Sequence, residues 1–278
     1  MRTMEEENEK PEIVAEKIPD VIGPVVGTAP EEIEEGKVVP VNEFDKSSWN
    51  PKTCLGKKVK NGEISTIDYV LDNGIKVLES EIVDVLIPNL ETELLLIGQA
   101  KGKFGGGKRR VFKQTQKKTS EGNKPHFATI AVVGNRDGYI GLGYGKSKET
   151  VPAREKSIRN AKLGVFKIRR GCGSWQCNCR QPHSIPFEVE GKCGSVTVRL
   201  MPAPKGAGLK VDKECQKILD LAGIKDIWSM TFGQTRSKMN HIYACEAALK
   251  KLMSTKINQK DIENTAIVEG SIKKQAEA

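Results

Sequence analysis

The stretch Ala131–Ala153 reads "AVVGNRDGYIGLGYGKSKETVPA". Two runs of strand-forming residues flank Asn135, Arg136, Asp137 and Gly138, which suit a tight turn: Asn and Asp side chains bond their own backbone, and Gly takes positive φ. The second run carries glycine at 141, 143 and 145, followed by Lys146 and Lys148. "KETVPAREKSIRNAKLG" continues from there, with Pro152 near a helix start, Gly164 as its stop, and Arg154, Lys156, Arg159 and Lys162 between. The stretch is a hairpin that runs into a basic helix.

Upstream, "ESEIVDVLIPNL" (Glu79–Leu90) puts Ile82, Val83, Leu86 and Ile87 on one helical face, and Pro88 limits that helix to a short one. "TELLLIGQA" is a compact apolar run with strand character. The order is helix, three strands, helix, in an α+β domain. A basic helix start beside a hairpin is how a double-stranded RNA-binding domain spans a minor groove. Glycines in the second strand have two compatible readings. Their missing side chains let backbone approach a phosphate ridge while Lys146 and Lys148 supply charge, or they let a twisted strand pack tightly on its neighbour.

Charge points to the same class of partner. Residues 1–36 hold 3 Lys and Arg against 11 Asp and Glu, whereas residues 99–170 hold 19 against 4, within a chain of net charge +9. Cations concentrated among Gly, Asn and Gln match a polyanion better than a helix face of alternating charge. The acidic, Pro- and Gly-containing start reads as a flexible tail, and "MRTMEEENEKPEI" is too acidic for a signal peptide. No apolar run approaches the length of a membrane span. Seven cysteines at irregular spacing argue against a disulfide framework and for a reducing compartment, so a cytoplasmic protein is expected.

Three of those cysteines fall in "GCGSWQCNCRQPH" (Gly171–His183). Cys172, Cys177, Cys179 and His183 have the spacing C-x4-C-x-C-x3-H, three thiolates and an imidazole suited to tetrahedral zinc. The competing reading is thiols in a Gly-rich turn. A redox centre fits less well, because no C-x-x-C stands beside a βαβ unit. Metal would fix a connection that has little core of its own, and Cys193 is the reserve ligand. Arg169, Arg170 and Arg180 flank the cluster and could present cations to RNA.

Four motifs in unbroken order carry a resemblance. They are "AVVGNRDGYIGLGYGKSKETVPA", "AKLGVFKIRRGCGSW", "PHSIPFEVEGKCGSVTVRLMPAPKGAGL" and "LAGIKDIWSMTFGQTRSKMN". Over roughly residues 49–252 the chain resembles the universal ribosomal protein S five family of the small subunit. "WNPKTCLGKKVKNGEIS", "EIVDVLIPNL" and "GCGSW" resemble the archaeal and eukaryotic branch, and the cysteine cluster points to archaea within it. The resemblance implies two domains, one of double-stranded-RNA-binding type (α-β-β-β-α) and a C-terminal α/β domain with a left-handed βαβ crossover. It divides the chain into an acidic tail (1–36), an N-terminal extension packing on the core (37–78), the RNA-binding-like domain (79–165), a Cys-rich connector (166–184), the C-terminal domain (185–256) and a C-terminal tail (257–278). Strands are expected at Ile185–Glu190 and Ser195–Met201, and helices near Lys213–Ala222 and Met239–Met253.

The family resemblance further implies a structural constituent of the ribosome that binds small-subunit rRNA. It also implies contacts with proteins S four and S eight, a place along the channel by which mRNA enters, and support of decoding accuracy through S four. Matching RNA-facing positions are Asn135, Arg136, Asp137, Gly138, Gly141, Gly143, Gly145, Lys146, Lys148 and the helix start including Arg154. Two basic loops compete for the mRNA path: one holds Lys103, Lys108, Arg109 and Arg110, the other Lys117, Lys118 and Lys124. The alternative function is a free-standing zinc-containing RNA-binding protein outside the ribosome. Catalysis is not expected, nor a small-molecule substrate or a membrane. "PAPKGAGLK" (Pro202–Lys210) lacks Walker spacing, and His126, His183 and His241 sit in no acid/base motif, His241 reading as a helix-surface or core residue.

Overall fold

The computed structural model describes residues 39–40, 49–87, 89–100 and 109–271. The acidic tail, Lys103 and Lys108 lie outside the described residues.

In chain order the elements begin with β1 (Val39–Pro40), α1 (Cys54–Lys60), α2 (Ile67–Asp72), α3 (Ser80–Leu86) and β2 (Glu91–Leu94). Next come β3 (Lys113–Thr119), β4 (Gly122–Gly134), β5 (Tyr139–Ser147), α4 (Thr150–Leu163), β6 (Val165–Lys167) and β7 (Arg169–Arg170). The C-terminal part holds β8 (Val189–Cys193), β9 (Val196–Pro202), β10 (Leu209–Lys210), α5 (Lys213–Leu221), β11 (Ile227–Phe232), α6 (Lys238–Ser254), α7 (Gln259–Thr265) and β12 (Val268–Glu269). The fold is α+β, as expected.

Among the described residues the first sheet runs β1-β2-β4-β5-β6, and β3 also pairs with β4. The 13-residue β4 organises it: its first half pairs with β3, its second with β2, and its other edge with β5. Alternation then sorts the side chains. Ile130, Val132, Ile140 and Leu142 join the core that continues into the C-terminal part through Ile168, Ile185, Leu200, Ile218 and Leu219. Ala131, Val133 and Tyr139 face the other way, packing with Ile67 and Val70 of α2, Val83 of α3 and Ala161 of α4. Trp49, Val59 and Ile82 form a small cluster that binds α1 to α3.

Helix α4 ends as its sequence suggests. Gly164 is its C-cap, and its N–H donates to the carbonyls of Asn160 and Ala161 at 3.0 and 3.2 Å. Pro152 lies in the first turn, where no intrahelical donor is missed. Helix α3 stops at Leu86, two residues before Pro88.

The second sheet has the order β10-β11-β9-β8. β10 and β11 are parallel, so β10-α5-β11 is a βαβ unit, while β11, β9 and β8 are antiparallel. The first strand expected here begins four residues later, at Val189, because Ile185 is fully buried in the shared core and Ser184 pairs with Gly171. Strand β11 adds to the expected elements. Gly191 of β8 lies against α6, where an added Cβ would meet the Ala244 carbonyl at 2.1 Å and the Ala248 nitrogen at 2.3 Å. Residues from 257, expected as a tail, hold α7 and β12, and β12 returns to pair with β7.

Candidate metal centre and nucleic-acid surface

The Cys-rich connector is closed at its neck. Gly171 and Ser184 exchange backbone hydrogen bonds of 2.9 and 3.0 Å, and the Cys172 N–H donates to the Thr265 carbonyl at 2.8 Å. Inside that neck the chain turns at Ser174, whose carbonyl accepts from the Cys177 N–H at 3.1 Å. Gly173 is required, since an added Cβ would stand 1.9 Å from the Pro186 carbonyl. The result is a knob with Trp175 at its tip, 88% exposed.

The turn gathers all four expected donors. Cys172, Cys177, Cys179 and His183 offer ligand atoms that lie within 4.8 Å of one another. The Cys179 and Cys172 sulfurs are 3.5 Å apart, and His183 Nε2 stands 3.8 Å from Cys177 Sγ. Donation from the Lys205 backbone N–H and then contact with Cys179 hold the Cys177 thiol down to about 6, so its thiolate is available at neutral pH. Cys172 is pushed up to about 11 by burial and by the neighbouring Cys179 and Cys177. A cation inside the cluster would reverse that cause, because the same neighbours would then share a positive charge.

A residue not singled out in the sequence completes the arrangement. Asp226 Oδ2 stands 2.9 Å from His183 Nδ1, both side chains being 6% exposed, which leaves Nε2 directed at the sulfurs. Metal-bound histidines commonly have a carboxylate on the far ring nitrogen in this way, where it sets the tautomer and raises ligand basicity. Asp226 is itself held, since its Oδ1 accepts from the backbone N–H groups of Gly206 and Gly208 at 3.0 and 2.8 Å. The Gly-rich loop Pro202–Lys210, which lacks Walker spacing, therefore braces the histidine through Asp226. Sequence spacing could not reveal Asp226, because it lies 43 residues beyond His183.

The expected RNA-facing residues divide into two groups. In the β4–β5 turn, Asn135 Oδ1 accepts from the N–H groups of Asp137 and Tyr139, at 2.9 and 3.3 Å. Asp137 Oδ1 accepts from the buried Arg170 at 2.7 Å, and Gly138, at φ 89°, packs against the Gly270 carbonyl. Arg136 pairs with Glu91 at 2.8 Å. Gly141, Gly143 and Gly145 face α4, where an added Cβ on any of them would meet helix backbone at 2.1–2.2 Å. Helix α4 fills the space that their missing side chains leave.

Exposed cations make up the second group. Lys146 and Lys148 point to solvent at the end of β5, and Arg154 is half-buried on α4. Arg110 is exposed, while Arg109 Nη1 donates to the Gly98 carbonyl at 3.4 Å. The β3–β4 hairpin resolves the competing loop "KKTSEGNK": Thr119 pairs with Gly122 and the two residues between form its turn. Residues 113–118 and 120–125 are exposed on both faces, and the register sets Lys117 opposite Lys124. Like charges directly opposite destabilise a ribbon. Its composition suits an anionic partner outside the chain.

Comparison with known proteins agrees with this architecture. Residues 96–169 match the family described as "Ribosomal protein S5, N-terminal domain", and residues 191–263 match "Ribosomal protein S5, C-terminal domain". The chain is 50% identical over 224 residues to "Small ribosomal subunit protein uS5" of Nanoarchaeum equitans, covering 81% of this chain and 96% of that protein. It is 44% identical over 229 residues to the protein of the same name from Methanocaldococcus jannaschii, covering 82% and 99%. For that of Pyrobaculum calidifontis the identity is 46% over 206 residues, covering 74% and 95%. Among the described residues no helix is long and apolar enough to cross a membrane.

Proposed function

The chain belongs to the ribosomal protein S5 family, and from that premise we propose that it is a structural constituent of the small ribosomal subunit, not an enzyme, and binds small-subunit rRNA. The observation that carries the RNA reading is the β3–β4 hairpin, a two-sided exposed ribbon with Lys113, Lys117, Lys118 and Lys124 and a like-charge pair at its centre. Phosphate contacts would relieve that repulsion and position the domain, with Lys146, Lys148 and Arg110 widening the basic surface. The finer reading sets the hairpin along the channel through which mRNA enters, and gives the protein contacts with S eight and with S four, the latter supporting decoding accuracy. Co-sedimentation tests the assignment: stoichiometric presence in washed small subunits supports it, whereas absence leaves the free-standing RNA-binding protein.

The knob supports a second element of the function. Cys172, Cys177, Cys179 and His183 would hold a zinc ion, with Asp226 orienting the imidazole. Bound zinc supplies structural cross-linking and no reaction chemistry. The protein's own contribution is to close the neck, exclude water from Cys172 and present Trp175 and Arg180 on a rigid tip. Elemental analysis of purified protein checks this, with the Cys177→Ser/Cys179→Ser variant expected to lose one ion per chain. An unchanged zinc count in that variant leaves only the thiol reading.

A further inference from the structure

A second group of donors lies away from the connector, between α5 and α6. Asp212 is the N-cap of α5 and Cys215 sits one turn later on the same helix, while His241 belongs to the first turn and a half of α6. Their ligand atoms lie within 4.8 Å of one another. Cys245 follows His241 by four residues on the same face of α6, but its sulfur lies outside the group that Cys215 joins. Both thiols are fully buried.

His241 is the anomaly. It is 2% exposed, and neither ring nitrogen has a partner at full hydrogen-bond geometry, the Cys215 thiol being the neighbour that acts on it most strongly. The nearest carboxylate oxygen, Asp212 Oδ2, stands 3.7 Å from Nδ1, too far for a hydrogen bond. Buried polar groups are nearly always satisfied, and one such group left orphaned costs as much as its desolvation. An imidazole without a close hydrogen bond, beside a thiol and a carboxylate, is the donor set of a thiophilic divalent ion.

We propose that Asp212, Cys215 and His241 form a second metal site, for zinc or a chemically similar ion, which ties α5 to α6. Lys238 occupies part of the shell, its Nζ lying 2.6 and 2.7 Å from the two Asp212 oxygens. It has somewhere to go: a cavity of about 500 Å³, lined by Lys210, Ser229, Thr231 and Thr235 together with Lys238, Asp212 and His241, opens beside the cluster. That cavity is also the path by which an ion would reach the donors. Loading frees Lys238 from Asp212 and converts the buried imidazole from an unsatisfied group into a ligand. The site shares no residue with the connector knob, so each can fill without the other.

The test is a metal count on the full chain, purified in zinc-containing buffer and then dialysed free of loose ion. The Cys177→Ser/Cys179→Ser variant removes the connector site, and it is expected to retain one ion per chain. Zero ions in that folded variant overturns the proposal. Independently, His241→Phe is expected to carry one ion fewer than the unmodified chain, and an equal count overturns the proposal. If either variant fails to fold by circular dichroism, the other decides. Cobalt substitution in the connector variant adds a spectroscopic readout: a thiolate-to-cobalt charge-transfer band that disappears with Cys215→Ser supports the site, and a spectrum without that band counts against it.

Discussion

Strand β5 and the β3–β4 hairpin are neighbours in one sheet, and both read from sequence as places where the chain meets RNA. They answer to opposite demands. On β5, three glycines give up their side chains so that the backbone of α4 can come close, and the strand is buried from Tyr139 to Gly143 and again at Gly145. In the hairpin nothing among the described residues covers either face, and four lysines stand in solvent with two of them paired across the ribbon. Glycine in a strand here marks a tight internal contact, while exposed cations set against one another mark the surface left for something else. The distinction is physical: a residue needed by the fold is buried among its partners, and one needed by a ligand is left at the surface.

The largest effect should come from breaking the internal side of that contrast. Adding one methyl group by Gly143→Ala sets a Cβ 2.1 Å from the Ala161 nitrogen and 2.2 Å from the Ser157 carbonyl, both helix backbone that cannot rotate away. The helix must lift, so the cost should reach or exceed the upper end of overpacking, about 3 kcal/mol. A urea melt reads it as a lower midpoint with unchanged slope. Lys146→Ala on the same strand, at an exposed position, should stay within about 0.5 kcal/mol of the parent protein. Equal stability of the two variants would show that β5 and α4 are not packed as described.

The hairpin should behave in the reverse way. Lys117, Lys118 and Lys124 changed together to Ala should leave the melting temperature within a few degrees, because the described contacts of these side chains lie at the ribbon surface and include only one exposed pair, Lys124 with Glu121 at 2.9 Å. Binding to an rRNA fragment should weaken, and the slope of log affinity against log salt should flatten by about one for each phosphate that a lysine no longer neutralises. A filter-binding series at several salt concentrations measures both. Unchanged slope would take the hairpin out of the interface and move attention to Lys146, Lys148 and Arg110.

How far the sequence could be read follows the same division. Helix α4, the β4–β5 turn and the short α3 were legible, because each has a buried face whose periodicity or punctuation the chain must obey. Strand β3, "KQTQKKT", was not: with both faces exposed it has no alternation to detect, and only its register with β4 makes it a strand. The four candidate donors of the knob were legible as a local cluster, yet Asp226 was invisible because folding alone brings it to His183. Likewise His241 read as surface or core, and its neighbours Cys215 and Asp212 come from another helix 26 and 29 residues earlier. Local spacing on α6 carries no signal for the group, since only His241 comes from that helix.

The smallest expected effect sharpens the contrast most. If the hairpin serves a partner at its own expense, relieving its central repulsion should stabilise it while harming function. Lys117→Glu replaces the Lys117–Lys124 pair with an attractive one, and cross-strand pairs of this kind are worth roughly 0.2–1 kcal/mol. Since the ribbon stands out from the core, the gain should appear locally, as slower amide exchange of residues 115–125, and hardly at all in global melting. Raising the salt should shrink it, because both groups are exposed and screened. The same variant should bind rRNA more weakly than Lys117→Ala, since it adds a negative charge where a phosphate would sit. Slower exchange together with weaker binding would show stability yielding to function at one residue. Faster exchange in the variant would mean that the opposed lysines are already accommodated within the free protein, and the hairpin would lose its claim as the element shaped by its partner.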